Sequence, residues 1–182
     1  GTTGAPKGVQ FTHRQIVLID ALGAIHGGPP AVEDLRGAMA EILACFRPGQ
    51  NSWLAPILGR RIDRILFAAT KADHLHHEQH PKLTAITEAL VADARARALF
   101  RGAEVGALSI ASLRATVEQT VTRDGRAIGV VRGRRADGTG EAALFPGALP
   151  DDPAELLAAA RQGAGDWSDA AYRLTDFAPP RL

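Results

Sequence analysis

The hydrophobic positions of this chain fall into short apolar runs separated by stretches of helical spacing. Residues 15 to 20, QIVLID, form an apolar run that ends in an acid. Such a run predicts a buried strand of a parallel sheet. The following ALGAIHGGPP is rich in Gly and Pro and predicts a loop. Val32, Leu35, Met39, Ile42, Leu43 and Phe46 then recur at helical spacing, which predicts an amphipathic helix over about residues 31 to 46, stopped by RPGQN. A short helical stretch over 52 to 58 leads into RIDRILFAATKAD, where ILFAAT predicts a second buried strand. Leu83, Ile86 and Leu90 share one face of a helix predicted over about 81 to 100, with Pro81 suited to its first turn. EVGALSIAS predicts a third strand.

Strand and helix therefore alternate over residues 15 to 112, the order of an α/β domain with a parallel sheet. The pattern changes after residue 115. TVEQTVTRDGRAIGVVRG predicts a β-hairpin turning at Asp124-Gly125, EAALFPG a further strand, and residues 153 to 162 a helix. The remainder, GAGDWSDAAYRLTDFAPPRL, is weakly patterned, and no internal repeat is visible.

Composition narrows the function classes. The 182 residues suit one domain, and 46% hydrophobic content suits a globular core. A net charge of +1 sets up no global field for nucleic acid or anionic lipid. The arginines at Arg60-Arg61-Arg64 and Arg132-Arg134-Arg135 read as solvated surface. Cys45 is the single cysteine, so neither an internal disulfide nor a cysteine-based zinc site is expected. No apolar run approaches the roughly 20 residues that span a bilayer. No secretory signal opens the chain, and a cytoplasmic location is the expectation. Membrane contact through a partner protein is left open. No base-reading helix or RNA-binding aromatic pattern is present, and no Ser-His-Asp or Cys-His arrangement has supporting context.

In open parallel sheets ligands bind at the C-terminal ends of strands. The first strand ends in Asp20-Ala21-Leu22-Gly23. An acid there can hold Mg²⁺, usually through water, as in P-loop nucleotide hydrolases, and the Gly23 amide could approach a terminal phosphate. Strands also end in Asp simply because Asp favours turns. The second strand ends in Thr70-Lys71-Ala72-Asp73. In GTP-binding proteins an [NT]-K-x-D string after a buried strand recognises guanine. The Asp carboxylate accepts hydrogen bonds from the N1 and N2 edge, which adenine cannot supply, while the Lys stem covers the base. The third strand ends in Ile110-Ala111-Ser112, where such proteins place a loop whose amide meets guanine O6.

The histidine-rich DHLHHEQH holds His76 and His80 four residues apart, with Glu78 nearby. Pro81 puts a helix start there, so a solvated helix N-terminus is expected rather than a metal site. His26 with Gly27-Gly28 reads as a connecting loop, and Trp53 and Trp167 as packing residues.

The three loops come in the expected order, and the chain as a whole resembles a known family. RQIVLIDALGA, FRPGQNSWL, RIDRILFAATKADHLHHEQH, ALFPGALPDDP and the closing FAPPRL look like the YcjX-like family of P-loop GTPases linked to bacterial stress response. The resemblance covers about residues 13 to 182. It implies a partial Ras-like α/β core with a parallel sheet and flanking helices, followed by a β-hairpin and a helical extension. It implies GTP or GDP with Mg²⁺ as ligands. Thr70, Lys71 and Asp73 would bind guanine, Ala111 and Ser112 would flank the base, Gly23 would face the phosphates, and Asp20 the metal.

A G-x-x-x-x-G-K-[ST] phosphate loop is absent. Such a loop and its strand are expected to sit between the first two strands. Without them the strands must close the gap directly or recruit residues 9 to 13, and the chain is expected to be poorly stable alone. The opening GTTGAPKGVQFTH instead resembles the phosphate-binding loop of adenylate-forming ligases, with Lys7 as its lysine. That resemblance ends near Arg14, and YRLTDF only approximates the ribose motif of those enzymes. The expected organisation is therefore a Gly-rich segment of uncertain origin over 1–13, a GTPase-core fragment over 14–116, and a family-specific extension over 117–182. The leading reading is the C-terminal portion of a GTP-binding protein, with GTP hydrolysis in the complete protein and little in this chain alone. The alternatives are a non-catalytic interaction or scaffold module and a fragment of an adenylate-forming ligase.

Overall fold

A computed structural model describes residues 14–46, 64–100, 103–145, 148–163 and 177–179. The opening Gly-rich segment with Lys7, the stretch expected to be helical over 52 to 58, Arg60, Arg61, Trp53 and Trp167 lie outside the described residues.

Three parallel strands, β1 (Arg14–Ile19), β2 (Arg64–Ala69) and β3 (Glu104–Ser109), form the first sheet in the order β1-β2-β3. The residues before and after each strand follow the expected βαβ logic. Between β1 and β2 run α1 (Ala21–Gly27) and α2 (Pro29–Cys45), and between β2 and β3 runs α3 (His80–Arg97). A second, antiparallel sheet holds β4 (Thr116–Arg123), β5 (Arg126–Arg134) and β6 (Glu141–Leu144), and α4 (Pro153–Gln162) follows. The partial Ras-like α/β class with a hairpin and helical extension is thus what the chain adopts, with β6 added to the hairpin as a third strand.

The gap expected between the first two strands is closed directly. β1 pairs with β2 over six residues, from Arg14 opposite Arg64 to Ile19 opposite Ala69. The backbone groups of β2 therefore find partners on both sides.

Two expectations are corrected. The Gly- and Pro-rich stretch after β1 is not a loop, because Ala21–Gly27 is helical. Its N-cap is Asp20, whose Oδ1 accepts a hydrogen bond from the Gly23 amide at 2.8 Å. Burial of Ala21, Leu22 and Ile25 offsets the low helix propensity of its glycines. Gly28, at φ 87°, turns the chain into α2, where Pro29 and Pro30 occupy the first turn. The second correction concerns β1, expected to be buried. Ile16 is 54% exposed and Leu18 63%, while Ile19 is buried. Among the described residues β1 is the edge of the sheet, and the described helices cover only the face that carries Val17 and Ile19.

The main core lies between that face and the helices. Ile65, Phe67 and Ala69 of β2 meet Val32, Met39 and Leu43 of α2 and Leu83, Ile86 and Leu90 of α3. α4 contributes Leu156, Leu157 and Ala160 to the same cluster, so the helical extension is packed into the core. The segment ahead of α4 is fastened to the start of α3. Gln79 Oε1 accepts from the Leu149 amide at 2.9 Å, and Lys82 Nζ donates to the Leu149 carbonyl at 3.1 Å.

One charged network runs through the helices. Arg36 of α2 is only 1% exposed. Its guanidinium donates to Asp93 of α3, Nε to Oδ2 at 3.0 Å, and its Nη2 lies 2.7 Å from Oδ1. Nη1 donates to Glu33. Arg97 and Arg161 also reach Asp93, at 2.7 and 3.3 Å. Burial pushes the Asp93 carboxyl up, but the hydrogen bonds and charges of Arg36 and Arg97 outweigh it and hold the group below its ordinary 3.8.

Candidate nucleotide-base site

The loop after β2 is stitched to both neighbouring strand ends. The Thr70 amide donates to the Ile19 carbonyl at 2.9 Å, and Thr70 Oγ1 donates to the same oxygen at 3.1 Å. The Ala72 amide donates to the Ile110 carbonyl at 3.2 Å. Threonine suits the first position because one short side chain adds a second bond to a carbonyl the backbone already uses.

Lys71 adopts a left-handed conformation, φ 61° and ψ 27°. A non-glycine residue there costs roughly 1–3 kcal/mol, a strain that surrounding contacts must hold in place and that clusters at binding sites. Lys71 Nζ lies 2.9 Å from Asp20 Oδ2. Asp20 is therefore engaged through both oxygens, by Lys71 on one and by the Gly23 amide on the other.

Ala72–His74 form a 3₁₀ turn, and all three residues are buried. Asp73 Oδ2 accepts from the Ala115 amide at 2.6 Å, and the Asp73 carbonyl accepts from Thr116 Oγ1. The first contact orients the carboxylate, and the second fixes the turn against the start of β4. A carboxylate oxygen carries two lone pairs, so Oδ2 can accept from Ala115 and from a ligand together.

These residues border a cleft of about 500 Å³ between the two sheets. Thr70, Lys71 and Asp73 line one side, and Ser112, Leu113 and Ala115 another. His74, Ala136, Phe177 and Pro179 complete it. Of the residues singled out in the sequence, the fold brings Thr70, Lys71, Asp73 and Ser112 together here. Ala111 is exposed and lies outside the lining, as do Asp20 and Gly23. A Cβ at position 23 would stand 2.6 Å from Asp20 Oδ2, so glycine there serves the N-cap.

Phe177 is the wall residue that sequence patterning missed. Its ring meets that of His74 edge-on, with centroids 5.3 Å apart and planes at 86°. Arg135 pairs with Phe177 in an antiparallel bridge, and Arg134 Nη2 donates to the Pro179 carbonyl at 2.9 Å. Gly133 makes room for the ring, since a Cβ there would lie 2.7 Å from Phe177 Cδ1. No local periodicity marks Phe177; its only signal is the FAPPRL string. The expected helix start is observed, with α3 beginning at His80, whose Nε2 lies 3.3 Å from the Leu75 carbonyl, but the run ahead of it is not solvated throughout, because His74 and His76 are buried. No helix among the described residues is long and apolar enough to cross a membrane.

Comparison with known proteins supplies the lineage. The YcjX-like family, DUF463, matches residues 9–182. A protein of Escherichia coli (strain K12) described as Ras-like GTPase YcjX is 32% identical over 166 residues, 91% of this chain and 34% of that protein. A protein of Shewanella oneidensis with the same description is 31% identical over 167 residues, 92% of this chain and 33% of that protein. The chain thus spans about a third of the length of the curated relatives it matches. With two strand-end loops meeting at one cleft and a family match over nearly its whole length, the chain belongs to the YcjX-like family.

Proposed function

We propose that this chain carries the guanine-recognition part of a GTP-binding protein whose complete form hydrolyses GTP. The observation that carries this reading is the buried Asp73, oriented by the Ala115 amide at the cleft that also takes Lys71 and Ser112. Guanine would present N1–H and the N2 amino group to the Asp73 carboxylate. The Lys71 stem would cover the base, with Thr70 holding the loop, and Ser112 and the neighbouring Ala111 would flank it. The relatives described as Ras-like GTPases support a guanine nucleotide as the ligand.

In this arrangement Asp20 would meet a Mg²⁺ ion through water, because both of its oxygens already have a protein partner. Those oxygens serve Lys71 and the α1 N-terminus. In the reading proposed here Asp20 positions Lys71, and no catalytic step is routed through a metal or through Gly23.

Calorimetric titration with GDP and with ADP is the test. GDP is expected to bind at least about tenfold more tightly, because a hydrogen-bonding site rejects a ligand that leaves its polar groups unpaired. Asp73→Asn is expected to erase the preference. Equal affinity for both nucleotides, or GDP binding unchanged by Asp73→Asn, refutes the reading. The exposed Ile16 and Leu18 favour a second reading, a non-catalytic interaction module. GTP turnover that Asp20→Ala abolishes would dismiss that one.

A further inference from the structure

Three residues past the base loop, the chain places His76, His77 and Glu78 side by side. One ligand-capable atom from each lies within 4.8 Å of the others. The His76 side chain is 8% exposed, and its Nδ1 has no hydrogen-bond partner among the described residues. Its nearest opposite group is Glu78 Oε2, at 3.5 Å. That separation is long for a hydrogen bond. It is close to the roughly 3.3 Å between two ligand atoms of one tetrahedral ion with about 2.0 Å bonds. The His77 ring stacks beside that of His76, with centroids 4.3 Å apart. Glu118 of β4 holds His77, with Oε2 at 2.6 Å from Nδ1. A carboxylate on a ring nitrogen is the outer-shell contact that orients metal-ligating histidines.

The second sheet is shaped around this cluster. A Cβ at Gly129 of β5 would lie 2.6 Å from His76 Cγ, so only glycine admits the buried imidazole. His77 and Glu78 are exposed, and their side chains can rotate to close the remaining distance.

We propose that His76, His77 and Glu78 form a site for a divalent transition-metal ion of the Zn²⁺ class. Two imidazoles and one carboxylate select such an ion over Mg²⁺ or Ca²⁺, which prefer all-oxygen sites. Glu118 positions His77 from outside the coordination shell. A bound ion would fasten the segment after the base loop to β4 and β5. The site stands apart from the guanine reading and does not depend on it.

The test is Zn²⁺ titration of the full chain after dialysis against chelator. It is done in a Cys45→Ser background, because the Cys45 thiol is exposed and would bind Zn²⁺ on its own. One Zn²⁺ per chain is expected, with no detectable Mg²⁺ binding. His77→Ala and Glu78→Gln change exposed side chains and leave the core intact. Each is expected to weaken Zn²⁺ binding at least about tenfold, and Glu118→Gln by about tenfold. His26→Ala, which alters an exposed histidine on α1, is expected to leave affinity unchanged. Failure to bind stoichiometric Zn²⁺ overturns the proposal. So does unchanged affinity in the His77→Ala/Glu78→Gln double variant.

Discussion

Replacing Asp93 by Ala strands the most buried cation of the helical layer. Arg36 is 1% exposed and gives Asp93 two contacts, at 3.0 and 2.7 Å. Removing one partner of a buried pair costs about 3–5 kcal/mol, because the remaining charge is left uncompensated. Two features reduce that figure. Asp93 is itself 21% exposed, and Glu33 still accepts from Arg36. The contacts from exposed Arg97 and Arg161 add little, about 0–1 kcal/mol each. A net loss of about 3 kcal/mol is therefore expected. For a chain of this size, each kcal/mol moves the melting temperature by about 2–4 °C, so the shift is about 6–12 °C. Thermal unfolding followed by circular dichroism reads it directly. Arg36→Met with Asp93→Leu is expected to recover part of the loss, since apolar groups can replace a buried ion pair at little cost. The pH dependence follows from the lowered Asp93 carboxyl. Its contribution is fully present above the unfolded value near 3.8 and is lost as pH falls below that, through the folded value. Wild type and Asp93→Ala should therefore converge in stability under strong acid. A melting shift under about 2 °C at neutral pH, or an Arg97→Ala loss as large as that of Asp93→Ala, refutes the reasoning.

Further outcomes are expected at the cleft and in the second sheet. Gly133→Ala puts a Cβ 2.7 Å from Phe177 and 2.9 Å from the Ala115 carbonyl. It should destabilise the chain by about 1–3 kcal/mol in denaturant titration and weaken GDP binding, because Ala115 also orients Asp73. The Asp137 carboxyl is held down to about 2, first by the Thr139 hydroxyl and amide and then by Arg135. Thr139→Val should raise it toward the ordinary 3.8, read by NMR titration, and an unchanged value would contradict the assigned cause.

Local chemistry carried most elements of this fold. The run ILFAA is strand because nothing polar interrupts it between two turn signals. Asp124-Gly125 turns the β4–β5 hairpin with φ values of 52° and 75°, the positive angles that this dipeptide tolerates. α4 runs from Pro153 to Gln162 as patterned, with Asp152 accepting from the Ala154 amide at its start. The loop after β2 was legible as a loop for the same reason: Thr70 to Asp73 is one short string at a strand end.

Other features depend on residues distant in sequence, and only the tertiary structure decided them. Ala21–Gly27 is helical despite its glycines because Leu22 and Ile25 gain a core to enter. β1 is apolar from Ile16 to Ile19 yet exposes Ile16 and Leu18, because burial depends on which face the helices cover. Asp20 stands where a metal-facing acid was expected, and its partner is a lysine fifty-one residues away, a pairing that the β1–β2 register creates. Phe177 closes the cleft, and Gly129 makes room for His76, through contacts no local period encodes. The sequence alone determined the elements and the loop after β2, because propensity and turn chemistry act over a few residues. Their burial, partners and shared cleft were decided by the tertiary structure, because those depend on which surfaces meet.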